Sequence, residues 1–254
     1  MKLSLNSLAG GVALIVIGVL LVILMLVLAG VLPGAGKADP AADLSAKDRA
    51  AIETVVREYI LANPEVIPEA MQNLQRGNQA AALAKVRDRV ETPFPGAVLG
   101  NPNGSVTLVE FSDFACGYCR ASLADVEALI AEHPDLRVVV HELPIISDQS
   151  EPAARMALAA AEQGKFEAFH HALFSAGQLS AATIEQAARA AGLNLARART
   201  FARSDKVDAA IATNMQMAGE LGFNGTPAWI VGDAIIAGAV GKEALAEAIA
   251  EARS

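Results

Sequence analysis

Cysteine is scarce. The 254 residues contain two, Cys116 and Cys119, and both fall in one C-x-x-C. A single pair excludes a disulfide framework and a four-thiolate zinc site, and leaves a redox couple or an incidental short bridge. No cysteine precedes Cys116, so a lipid-modified N-terminal cysteine is excluded. Positive charge is also short: 20 Lys and Arg against 28 Asp and Glu give a net charge of −8. That balance provides no field to gather phosphate backbones and argues against a nucleic-acid partner. Charged residues make up 19% and apolar ones 53%, which excludes disorder of the whole and provides for one sizeable core plus accessory segments. No internal repeat is found.

Charge is missing altogether from Leu8 to Leu32, LAGGVALIVIGVLLVILMLVLAGVL. These roughly 25 residues would reach about 37 Å as a helix, more than the ~30 Å hydrocarbon core. A cleavable signal has a shorter apolar region. Lys2 is the only charge before Lys37, and Asp39 and Asp43 follow the run, so the weak positive-inside bias keeps the N-terminus cytoplasmic. The expectation is a single-pass anchor in the inner (cytoplasmic) membrane, with residues 1–36 as anchor and flank and the rest in the periplasm. The small residues of PGAGKADPAAD keep open the alternative of secretion after cleavage. A thiol pair in that compartment meets oxidising surroundings.

Beyond the linker, Ser45-Ala46-Lys47-Asp48 predicts a capped helix start, with Ile52, Val55, Val56, Tyr59 and Ile60 at helical spacing. Asn63-Pro64 predicts the N-cap and first turn of a second helix, running through Ile67, Met71, Leu74, Ala81, Val86 and Val90, its thin apolar stripe interrupted at Gly77-Asn78. Residues 43–91 thus form a helical neck, either a spacer packed on the main domain or a seam for self-association into a homo-oligomer. After Thr92-Pro93-Phe94-Pro95-Gly96 the period changes. VTLVEF (Val106–Phe111) and LRVVVHEL (Leu136–Leu143) read as strands buried on both faces, joined by a helix beginning at or just before Cys119. A strand-helix-strand unit implies parallel strands. From about 151 to 221 the chain is Ala-rich and helical, with no strand pattern. Trp229-Ile230-Val231 and Ala234-Ile235-Ile236 flank the turn Gly232-Asp233, and Gly241–Arg253 is a terminal helix. The order describes an α/β domain over 97–254: a mixed sheet with helices on both faces and a helical insertion.

Cys116-Gly117-Tyr118-Cys119 opens the helix after the first strand. The unpaired N–H groups of a helix's first turn favour a thiolate, and C-x-x-C thiols placed there ionise more readily than free ones. Position makes Cys116 the attacking sulfur. Cys119, one turn inward and less exposed, is suited to resolving a mixed disulfide. Two readings compete. A metal site needs further ligands, and His133, His141, His170 and His171 lack the spacing. A structural bridge between residues so close constrains little chain entropy. Glu110 ends an apolar strand. Buried under the pair it would hold its proton more tightly and exchange it with Cys119; at a solvent-facing strand end it would do neither. Asn224-Gly225-Thr226-Pro227-Ala228, before the Trp229 strand, reads by composition as a turn.

Together, VTLVEFSDFACGYC, the helical insertion and GTPAWIVG resemble the DsbA-like branch of the thioredoxin superfamily, from about Ala97 to the C-terminus. The resemblance implies a thioredoxin-like fold. It implies a cis Pro227 that, with Thr226, Gly117 and Tyr118, forms the substrate-facing surface, and it matches Glu110 to the family's buried acid. The stretch EYILANPEVIPEAMQNLQ is similar to the N-terminal region of proteins of the copper-sensitivity suppressor (ScsC) and Com1 type, relatives of which oligomerise through such segments. Gly-Tyr between the cysteines and Thr before Pro227 resemble disulfide isomerases more than the oxidase DsbA. The implied activity is an extracytoplasmic protein disulfide oxidoreductase or isomerase without a cofactor, acting on cysteine-containing proteins and served by a membrane redox partner of DsbD, ScsB or DsbB type. The alternatives are a dithiol oxidase, a copper-binding module without redox turnover, and a surface scaffold.

Overall fold

The protein is described by a computed structural model over residues 44–253; the apolar run Leu8–Leu32 lies outside them. Among the described residues no helix is long and apolar enough to cross a membrane. The chain divides into two compact units at Pro68/Glu69.

In the first unit, α1 (Ala46–Ala62) starts at the expected cap: Ser45 Oγ accepts the Asp48 N–H at 3.2 Å. None of its residues is buried, and Ile52, Val55, Val56, Tyr59 and Leu61 are exposed. Asn63 differs from expectation. It caps the end of α1 rather than the start of α2, its backbone and side-chain N–H groups both donating to the Tyr59 carbonyl. A short asparagine side chain reaches back to a last-turn carbonyl as readily as forward to a first-turn amide. The helix α2 (Val66–Val90) begins beyond Pro64, belongs to the second unit from Glu69 onward, and continues through Gly77 without a break. One glycine costs a helix only about 1 kcal/mol, which tertiary packing offsets. That packing lies near its C-terminal end, where Leu83, Val86 and Val90, on one face, are buried.

The second unit is built on a five-stranded sheet in the order β1-β3-β2-β4-β5: β1 (Val98–Gly100), β2 (Val106–Ser112), β3 (Leu136–Glu142), β4 (Ala228–Val231) and β5 (Ala234–Ala237). Only β2 and β3 pair in parallel, Glu110 opposite Val140 and Ser112 opposite Glu142. Edge strand β1 is too short to carry a periodicity that a sequence displays. Alternation along the strands separates two cores. Leu108, Val138, Val140 and Trp229 face one, with α3 (Gly117–Glu132), the insertion and α9 (Lys242–Glu251). Val109, Phe111, Val139 and Ile230 face the other, covered by α2 and by Met217, Ala218 and Leu221 at the end of α8 (Asp205–Glu220).

The insertion consists of α4 (Ser150–Glu162), α5 (Phe166–Ser175), α6 (Ala181–Ala190) and α7 (Leu195–Phe201), followed by α8. Ser180 and Thr183 form a capping box at the head of α6, and Gly164 and Gly192 turn left-handed after α4 and α6. The short helix α7 is separate from α8. Asn194 caps it, its side chain accepting the Arg197 N–H at 3.0 Å. Asp113 ties the ends of β2 and β3: Oδ1 accepts the Ala115 N–H, and Oδ2 accepts those of Ile145 and Ile146 at 2.9 and 3.0 Å.

Candidate active site

The C-x-x-C sits where β2 passes into α3, and Cys116 is itself the N-cap. A residue in extended conformation there turns its side chain onto the amides that the helix leaves unpaired. Here the capping atom is sulfur: Cys116 Sγ accepts the Cys119 N–H at 3.3 Å. The same Sγ, as a thiol, donates to the Thr226 carbonyl at 3.2 Å. The Thr226–Pro227 peptide bond is cis. The expected contrast in exposure between the two sulfurs is slight, 4% for Cys116 and 2% for Cys119. What separates them is their partners. The Cys116 sulfur faces a helix amide and a loop carbonyl, and Cys119 shares its surroundings with Glu110 and the Ser112 and Thr226 hydroxyls. Burial, and then the charge of Glu110, push the Cys119 thiol far above its ordinary range; the Asp113 backbone and the Thr226 and Ser112 hydroxyls pull it partly back. Both cysteines are free thiols.

Glu110 is 3% exposed, which removes the solvent-facing alternative. Burial raises its carboxyl from 4.5 to about 7, against a smaller lowering by the Ser112 hydroxyl. Its charge acts on Cys119, so the acid and the inner thiol share one pocket.

Gly117 and Tyr118 lie at the surface, Tyr118 being 70% exposed. Tyr118 lines a groove of about 430 Å³ with Thr226, Pro227, Phe223, Ile235 and Gln79. Here the structure brings together one half of the C-x-x-C dipeptide and the loop ahead of β4. Gln79 belongs to α2, and nothing in the sequence connected it with the cysteines. Also unrecognised were Ser112, Asp113 and Glu142, all buried. Their signal was available: Ser112-Asp113 follows Glu110 after a single Phe111, and His141-Glu142 breaks the apolar run of β3. Among the described residues, no cluster of three or more His, Cys, Asp or Glu is arranged to hold a metal ion.

The family model of the DSBA-like thioredoxin domain matches residues 107–250, and that of the copper resistance protein ScsC N-terminal domain matches residues 48–81. A thioredoxin-like oxidoreductase from Silicibacter pomeroyi is 42% identical, with a TM-score of 0.63 over 66% of this chain and 97% of that one. A linker-deleted mutant of ScsC from Proteus mirabilis is 26% identical, with a TM-score of 0.68 over 84% of this chain and 98% of that one. A periplasmic thioredoxin-like protein from Salmonella enterica serovar Typhimurium is 29% identical, with a TM-score of 0.59 over 66% and 95%. Among curated proteins, the chain is 31% identical over 158 residues to a Na(+)/H(+) antiporter, NhaA 3, of Salinispora tropica, 61% of this chain but 24% of that protein. The chain thus spans about a quarter of the length of the curated relatives it matches. With the family model covering more than half of its residues, and a cis-Pro loop set against a helix-capping cysteine, this chain belongs to the DSBA-like thioredoxin domain family.

Proposed function

We propose that the protein is an extracytoplasmic thiol-disulfide oxidoreductase that reduces and rearranges disulfides of other proteins. The observation that carries this is Cys116 Sγ as the cap of α3, fed by the Cys119 N–H and set against Thr226 beside an open groove. In the reaction, the Cys116 thiolate attacks one sulfur of a substrate disulfide; a Cys116–substrate bond forms, the substrate S–S bond breaks, and the second substrate sulfur leaves as thiolate. Glu110 then takes the proton of the Cys119 thiol, and the Cys119 sulfur attacks Cys116 Sγ. The Cys116–Cys119 bond forms and the remaining substrate thiolate leaves. The substrate disulfide is reduced by two electrons and the protein dithiol is oxidised to a disulfide. Isomerisation follows when a second substrate thiol resolves the intermediate before Cys119 does.

Gly117, Tyr118, Thr226 and Pro227 form the substrate-facing surface in this reading. The substrates are cysteine-containing periplasmic proteins, in keeping with the periplasmic Salmonella relative, and a membrane redox partner of DsbD, ScsB or DsbB type restores the pair. Leu8–Leu32 anchors the chain. The exposed stripe of α1 and the match of residues 48–81 to the ScsC N-terminal domain support self-association through the neck.

A Cys119→Ser variant decides the sulfur roles. Incubated with a disulfide-bonded substrate it is expected to accumulate a mixed disulfide at Cys116, seen by mass spectrometry, whereas Cys116→Ser forms none. A mixed disulfide through Cys119 in Cys116→Ser, with none in Cys119→Ser, would reverse them. Rescue of a scrambled-disulfide protein by the reduced wild type supports isomerase work; fast oxidation of a reduced substrate without rescue would make it a dithiol oxidase. The match of residues 48–81 to the N-terminal domain of the copper resistance protein ScsC favours one second reading, a module gripping Cu(I) between its two thiolates. Stoichiometric copper retention with no disulfide reduction would select it.

A further inference from the structure

The reaction above uses one buried acid, yet the pocket contains more. Glu142 is 1% exposed, at the C-terminal end of β3. It lies opposite Ser112 in the parallel β2·β3 register, and Glu110 is two residues back along β2, so all three side chains leave the same face of the sheet. Val140, Glu110's own register partner, belongs with Cys119 to the core on that face. Asp113, also 1% exposed, completes the group.

These acids differ in what they touch. The Asp113 carboxylate accepts three backbone N–H groups. Glu142 Oε1 is buried without a hydrogen-bond partner, a costly position for an anion. Burial, then Asp113, then Glu110 hold its carboxyl well above the usual range. The influences on Glu110 are burial and the Ser112 hydroxyl, and those on Cys119 include no cation. On α8, Asn214 donates to the Glu142 backbone carbonyl, and His141 bonds Asn214 and the Val90 carbonyl on the opposite sheet face. The titratable groups acting on one another in the pocket are therefore carboxyls and the Cys119 thiol, with the Ser112 and Thr226 hydroxyls as neutral partners.

We propose that Glu142 is a positioning residue: it retains its proton through the working cycle and presents it to the carboxylate that Glu110 becomes, so that Glu110 can give up its own proton and serve as the proton acceptor for Cys119. A neutral carboxyl beside an ionised one stabilises it through a donated or oriented O–H, whereas two adjacent buried carboxylates oppose each other. The pair carries one proton when Glu110 is ready to act and two after it has taken the thiol's. Glu142 exchanges nothing with substrate. This inference rests on the proposed role of Glu110, and its test separates the two.

The test uses the full chain in two measurements. Infrared titration of the reduced protein should show one buried carboxyl still protonated above the Glu110 midpoint, with that band lost in Glu142→Gln and kept in Glu110→Gln. Resolution of a mixed disulfide between Cys116 and glutathione, followed against pH, should keep its midpoint in Glu142→Gln, whose amide still donates. In Glu142→Leu, of similar size but without a donor, the midpoint should rise by about one pH unit. Adding Glu142→Leu to Glu110→Gln should change nothing further. Survival of the band in Glu142→Gln, or an unmoved midpoint in Glu142→Leu, overturns the proposal. A wild type whose resolution shows no Glu110-dependent midpoint overturns the earlier reading instead, and leaves the infrared result to decide Glu142.

Discussion

Replacing Glu110 by Gln should make the protein more stable in a pH-dependent way while slowing its chemistry. The native carboxyl titrates at about 7 and the unfolded one near 4.5, because burial penalises the anion. Below 4.5 both states are protonated, and the variant and wild type should match. As pH rises from 4.5 to about 7, the unfolded chain releases this proton and the native state does not, so the wild type loses stability at about 1.4 kcal/mol per pH unit. Above 7 the native carboxyl ionises as well and the loss levels off at about 3 kcal/mol. Gln has the same shape and no charge to lose. Equilibrium urea unfolding of the reduced proteins across this range reads the difference, which should be near zero at the acid end and about 3 kcal/mol in favour of Glu110→Gln on the alkaline side. Parallel stability curves, or a wild type that gains on the variant as pH rises, would refute the buried neutral acid. In the same variant, resolution of a Cys116 mixed disulfide should slow, since the Cys119 thiol loses its proton acceptor.

Three further outcomes follow from other parts of the molecule. His170 is enclosed by Phe114, Phe166 and Phe174, and burial lowers it to about 3 from 6.5, so stability should fall as pH drops between those values, by up to about 5 kcal/mol. His170→Phe should flatten that acid limb in urea titrations, and an unchanged limb would place the acid sensitivity elsewhere. Gly96 has φ +87°, and a Cβ there would stand 2.5 Å from the Ala161 carbonyl oxygen. Gly96→Ala should therefore cost at least about 1 kcal/mol and lower Tm by ~2–4 °C or more, with an equal or higher Tm counting against the geometry. Gly77 lies within α2 with open space around its Cβ position. Gly77→Ala should stabilise that helix by roughly 0.5–1 kcal/mol, read by circular dichroism on heating, and a loss of helicity would mean that the helix needs its glycine.

The sequence by itself determined the local parts of this protein. Buried strands are apolar throughout, amphipathic helices repeat near every fourth residue, and glycines close helices, so β2, β3, the hairpin β4–β5 and most of the insertion were legible. The cysteine pair was legible because its chemistry requires neighbours in sequence: a helix start offers amides only to the residue that caps it. Asn63 was misassigned because one short amide side chain can cap either helix. Gly77 interrupts the apolar stripe of α2 but not the helix, because a local cost is easily offset by packing elsewhere on the helix.

What only the tertiary structure decided is which distant residues share the sulfurs' surroundings. Thr226 lies 110 positions from Cys116 and contributes a carbonyl 3.2 Å away, and Gln79 reaches the groove from a helix outside the sheet. Whether Glu110 faced solvent or core depended on what covered its strand, and Glu142 became its neighbour only through the parallel register of β2 and β3. Secondary structure follows from short-range sterics and periodicity, which a sequence displays. The electrostatics of a buried pocket depend on desolvation and on charges brought close by chain crossings, and those exist only once the sheet has formed.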